Sequence, residues 1–170
     1  MRIHRSTALA LGALTALACS DSAGPIALEG PSFGLTAPGH RVTGSGHVQS
    51  DAGLREFTFH ALELPDGRTS GSYKVVLPNG LFFEADVTCL AVEGDTGWVA
   101  GTIRATNAAG VVVGSATMFY AIDGGEGGDA VDTVSLAAFN LPVGADLGFC
   151  AERPLLLPPL AVTDGNVEVR

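Results

Sequence analysis

The chain has 170 residues, with 9 Lys and Arg against 18 Asp and Glu, a formal net charge of −9. Hydrophobic residues make up 46% and charged ones 16%, which is too apolar for a disordered chain, and the length suits one domain. Lys74 is the only lysine and the arginines are scattered, so no nucleic-acid partner is expected: affinity for phosphate comes from clustered Lys and Arg.

Residues 1–18 read as a signal peptide. Arg2 and Arg5 form a positive start, and residues 8–18 (ALALGALTALA) are small and apolar. That run falls well short of the ~18–20 residues of a membrane-spanning helix. Ala16-Leu17-Ala18 has the A-x-A form of a secretory cleavage site, and Cys19 follows at once. Here the chain resembles the precursors of bacterial lipoproteins, whose lipobox ends in a cysteine that takes lipid and becomes the mature N-terminus. The usual lipobox has Leu three places before the cysteine and a small residue two before, where this chain has Ala16 and Leu17. The resemblance implies a lipidated Cys19 and a membrane partner reached through the lipid. It also implies a place in the cell envelope, facing the periplasm or the outside. An ordinary secretory signal cut at the same bond, releasing a soluble protein, is the alternative. Either cut removes Arg2 and Arg5 and takes the net charge from −9 to −11.

Cysteine usage agrees with export. Three cysteines, Cys19, Cys89 and Cys150, leave one over in any pairing. If lipid takes Cys19, an oxidising compartment favours a Cys89–Cys150 disulfide. It would close a loop 61 residues long, for about 4 kcal/mol in the chain-entropy model. Two separate buried thiols are the alternative, and two sulfurs without nearby histidines make only half a zinc site.

Residues 19–39 are rich in Gly, Pro, Ser and Ala, lack a period and read as a tether. A single β-domain is expected over 40–170. In residues 54–64, Phe57, Phe59 and Ala61 fall on one face and Glu56, Thr58, His60 and Leu62 on the other, at strand period. Pro65-Asp66-Gly67 is a turn, and 70–77 is the return strand. Pro78-Asn79-Gly80 is a hairpin signal. Over 81–93, Leu81, Phe83, Ala85, Val87, Cys89 and Ala91 are expected to share a face. Further strands are read over 98–106, 111–122, 133–139 and 162–169. Residues 155–160 (LLLPPL) contain two prolines and read as an extended segment crossing an apolar surface. No window shows an amphipathic helix of three turns. The expectation is all-β: an antiparallel meander of about seven to nine strands forming a sandwich or a barrel.

From His40 onward the chain resembles small secreted bacterial β-domains of uncharacterised function. The resemblance rests on Gly44-Ser45-Gly46-His47, Phe57-Thr58-Phe59, Val87-Thr88-Cys89-Leu90 and Asp123-Gly124-Gly125-Glu126-Gly127, and spans residues 40–150. It implies a fold and an exported location, not a reaction.

Candidate chemistry is sparse. Asp123, Glu126, Asp129 and Asp132 lie within ten residues among glycines, an arrangement that offers oxygens to a hard cation such as Ca²⁺. The spacing departs from the EF-hand pattern, so a solvated acidic turn is the favoured reading and no cofactor is expected. His60 and Glu63 differ by three and would face opposite ways on a strand. H-E-x-x-H and G-x-S-x-G are absent, so no catalytic residue is assigned. Three functions follow in order: a non-enzymatic envelope protein that binds or builds, a small-ligand-binding barrel, and a hydrolase whose site is not recognised. A continuous internal cavity would separate the second from the first.

Overall fold

A computed structural model describes residues 39–126 and 130–170. Among them are nine strands and one helix, in the order β1 Arg41–Ser50, β2 Gly53–Glu63, β3 Thr69–Val76, β4 Phe82–Glu93, β5 Thr96–Thr106, β6 Ala116–Ile122, β7 Thr133–Ser135, β8 Ala138–Leu141, α1 Ala145–Glu152 and β9 Pro159–Val169. Each pairing is antiparallel. Consecutive hairpins join β1 through β6, and the ring closes through β6–β7, β7–β9 and β9–β1. The result is a closed eight-stranded barrel, with β8 an extra strand added to β6 beyond β7. Of the two closures expected, sandwich or barrel, the chain takes the barrel, which pairs the strand edges around the ring except along the later residues of β9.

The barrel interior is built by the alternation legible in the sequence. Phe57, Phe59 and Ala61 of β2, Tyr73 of β3, and Phe83, Ala85 and Val87 of β4 point inward. Val42 and Val48 of β1, Val99 and Ile103 of β5, Phe119 and Ala121 of β6, Val134 of β7 and Val167 of β9 complete the core. Aromatic rings pack in a chain through the centre: Phe59 lies 5.0 Å from Phe119, and Phe119 5.0 Å from Tyr73, edge to face. Gly44 on β1 is the cross-strand partner of Phe59. A Cβ at Gly44 would come within 2.6 Å of the Phe59 ring, so the missing side chain is what admits the phenyl group. At Gly46, φ is +151° and the β1–β9 register slips, with Gly165 packed against it.

Three expectations are corrected. First, β4 does not keep one face inward along its whole length. Its register against β5 shifts between Val87 and Cys89, leaving Thr88 as a bulge. Beyond the bulge the parity reverses: Cys89 and Ala91 turn to the outer face, while Leu90 and Val92 pack on the core. Second, residues 111–115 form a loop, with the strand beginning at Ala116, and the single strand expected over 133–139 is divided into β7 and β8, which pair with different parts of β6. Third, the last strand starts at Pro159, not at residue 162. Proline is tolerated there because it is the first residue of the strand. The two-turn α1 lies below the length sought in the sequence. The signal peptide, Cys19 and the tether up to residue 38 lie outside the described residues, as does Asp129.

Candidate functional surfaces

The acidic loop sits where the pairings around the ring are shortest. β9 pairs with β7 only through Pro159, Leu160 and Ala161, so its later residues have no strand on that side. Asp132 and Asp123 flank the end of the β6–β7 ladder, where Ile122 opposes Thr133. Asp132 Oδ2 accepts the N–H of Val167 at 2.6 Å, and Asp123 Oδ2 accepts that of Val169 at 3.2 Å. The other oxygens accept from their own loop: Asp132 Oδ1 from Gly124 at 2.9 Å and Asp123 Oδ1 from Gly125 at 2.8 Å. The two carboxylates therefore take the place of a missing strand. Charge-assisted bonds to backbone N–H groups are strong ones, and these four occupy one position on each oxygen. Glu126 is exposed. Among the described residues no three His, Cys, Asp or Glu side chains converge on one point.

The outer face of β2 to β5 carries the richest set of polar side chains. Thr58, His60, Ser72, Lys74, Glu84 and Arg104 line an open groove of about 210 Å³. Glu84 receives Lys74 Nζ at 3.2 Å and Arg104 at 3.2 Å, and Arg104 also binds Asp86 at 2.9 Å. The Lys74 hydrogen bond, helped by Arg104, holds the Glu84 carboxyl below its ordinary range against a smaller effect of burial. Lys74 also sits 4.7 Å over the ring of Phe82. Phe82 faces outward beside the buried Phe83, and Lys74 covers its ring. Sequence reading missed this network, although outward alternation of charges on three consecutive hairpin strands is a signal that could have found it.

His60, Ser72 and Asp86 lie in one cross-strand row. Ser72 stands in the middle of it, whereas a catalytic triad needs the histidine between the hydroxyl and the carboxylate. Asp86 is engaged by Arg104, and among the described residues no hydrogen bond joins Ser72 to His60. His40 and Glu63 meet through the backbone and through a 3.1 Å bond from the His40 N–H to the Glu63 carboxylate. His47 is paired across strands with Glu56.

A second apolar cluster lies outside the barrel wall. Cys89, Trp98, Ala100, Met118 and Tyr120 face outward from β4, β5 and β6, and Phe149 of α1 packs on them. Cys89 and Cys150 form the disulfide expected from the sequence, with Cα atoms 6.2 Å apart. The bulge at Thr88 is what turns Cys89 toward the helix. The chain after α1 continues across the same face: Trp98 Nε1–H donates to the Pro154 carbonyl at 3.2 Å, and the Tyr120 hydroxyl donates to that of Leu157. Residues 153–158 thus cross an apolar surface, as their composition suggests.

No known family model matches the chain, and neither a curated protein nor a solved structure matches it. Its role must be argued from its own residues.

Proposed function

We propose that the chain is an exported cell-envelope protein, anchored to a membrane by lipid on Cys19, whose β-barrel acts by binding or as a structural part and not as an enzyme. The observation with most weight is the filled interior. Phe57, Phe59, Tyr73 and Phe119 occupy the barrel, and the space beside them is about 20 Å³, room for about one water. A carrier of an apolar ligand would need several hundred Å³. Function is therefore assigned to the outside of the barrel, where polar strand faces and loops are presented. The disulfide supports export, because such bonds persist in oxidising compartments.

Labelling with radioactive palmitate in a bacterial host tests the anchor. The full-length chain should take label and fractionate with membranes, and Cys19→Ala should do neither. Absence of label on the unaltered chain, or label that survives Cys19→Ala, would refute the lipid anchor. Binding of an apolar fluorescent probe with stoichiometry near one, lost when Phe59 is enlarged to Trp, would restore the carrier reading.

A further inference from the structure

The barrel has two apolar clusters, and they do not depend on each other equally. The interior cluster is enclosed by a hydrogen-bonded ring and contains no residue of α1. The outer cluster is flanked by Ala138 and Leu141 of β8 and otherwise covered by a lid, made of α1 and the segment 153–158. That lid holds itself together poorly. α1 has eight residues, Gly148 in its middle, Gly144 at its N-cap without a side-chain cap, and no basic residue in its last turn. A helix this short does not persist alone in water. Leu147, Leu155 and Leu156 of the lid point largely to solvent and contribute little to docking. What seats the lid is the Phe149 ring and the two bonds donated by Trp98 and Tyr120 to its carbonyls. Thr88 adds a bond to Asp146 at 2.5 Å, and an exposed Arg153–Glu93 pair adds little. One covalent tie, Cys89–Cys150, joins lid to wall.

We propose that the Cys89–Cys150 disulfide is a redox latch on this lid: closed, it holds α1 and 153–158 over Trp98, Met118 and Tyr120; opened, it frees the lid while the barrel stays folded. Cys89 is buried and Cys150, on the lid, is half-buried, so the attack is assigned to the sulfur of Cys150. A dithiol reductant adds to that sulfur, the S–S bond breaks, and its electron pair leaves on Cys89, which takes a proton. The reductant's second thiolate then displaces Cys150 as a thiol. The protein has gained two electrons and two protons, and the reductant has become a disulfide. Opening exposes an apolar face bearing an indole and a phenol, a surface the closed form hides.

Trp98 is the only tryptophan in the chain and lies under the lid, with Cys150 Sγ near its carbonyl. Its emission wavelength and its access to acrylamide therefore report on the lid alone. Intensity is not the readout, since a nearby disulfide quenches indole directly. The full chain is compared before and after reduction with a phosphine, and with Cys89→Ser/Cys150→Ser. On reduction the Trp98 emission should move to the red and acrylamide quenching should rise several-fold. The α1 amides should exchange at least about tenfold faster while β2 and β3 amides keep their protection. The phosphine-treated wild type decides the matter if the double variant fails to fold. Trp98 remaining shielded after reduction would overturn the proposal, as would β2 and β3 losing protection together with α1. A disulfide that resists the phosphine in the folded protein would overturn it too.

Discussion

The carboxylate of Asp132 accepts one N–H from Gly124 and one from Val167, and Val167 is 1% exposed in the barrel wall. Asp132→Ala leaves a donor at a buried position without an acceptor, at a cost of about 1–3 kcal/mol in urea unfolding, while Asp132→Asn keeps one acceptor and should cost less. Because Asp123 and Asp132 are committed to backbone N–H groups, millimolar Ca²⁺ should leave the melting temperature unchanged. A rise of several degrees, abolished in Asp123→Ala, would instead assign a cation to the loop. Gly44→Ala forces a methyl group into the Phe59 ring, for about 1–3 kcal/mol, and Gly44→Ala combined with Phe59→Leu should recover part of that loss in the same unfolding assay. The acidic cluster was legible in the sequence, but its role was not. Spacing along the chain shows that four carboxylates are near one another, and says nothing of the distant β9 donors at Val167 and Val169 that two of them serve.

At the scale of elements, the bulge at Thr88 decides where a covalent bond can form. Deleting Thr88 should straighten the ladder and leave Cys89 directly after the inward-facing Val87, still on the outer face toward α1, because Thr88 is the extra residue of the bulge. Titration of the denatured, unreduced variant with a thiol reagent should then find Cys89 and Cys150 still paired, as in the parent; free thiols at both would show that β4 slips its register instead. The hairpins from β2 to β5 were readable because their inward residues are large and apolar and their turns carry Pro, Asn, Asp and Gly. The bulge was not readable, since Thr88 is an ordinary strand residue and the slip arises from pairing with β5. Nor was α1: its eight residues ADLGFCAE bury Asp146 and Phe149 and leave Leu147 outside, so hydrophobicity does not mark its packed face. Residues 111–113 (VVV) mislead in the opposite direction, being β-branched yet placed in a loop tied to Asn140 by its side-chain bonds.

For the molecule as a whole, the two tyrosines set an alkaline limit. Burial raises the phenol of Tyr73 far above 10, which a nearby Thr117 hydroxyl offsets only in part, and burial also raises that of Tyr120. Tyr73 stays protonated in the fold and ionises near 10 once it opens, and Tyr120 is shifted in the same direction, so the unfolded chain binds fewer protons at high pH. Stability should therefore be level below about pH 9 and fall by up to about 1.4 kcal/mol per pH unit above pH 10 through Tyr73, with Tyr120 acting in the same sense. Absorbance of phenolate should appear in step with loss of the far-ultraviolet β signal; earlier appearance would show a phenol open to water. Ring closure was the part of the architecture that alternation could not supply, because a buried face looks the same in a sandwich and in a barrel. What closes this one is the pairing of β1 with β9, and its outermost link is reciprocal: Arg41 N–H donates to the Arg170 carbonyl at 2.7 Å and Arg170 N–H to that of Arg41 at 2.8 Å. The two ends of the barrel segment are thus adjacent residues of one ladder. Around the ring, the break between Arg170 and Arg41 is equivalent to any hairpin turn, so a chain spliced there and cut instead at the exposed Asn79-Gly80 turn would trace the same circle of strands from a different starting point.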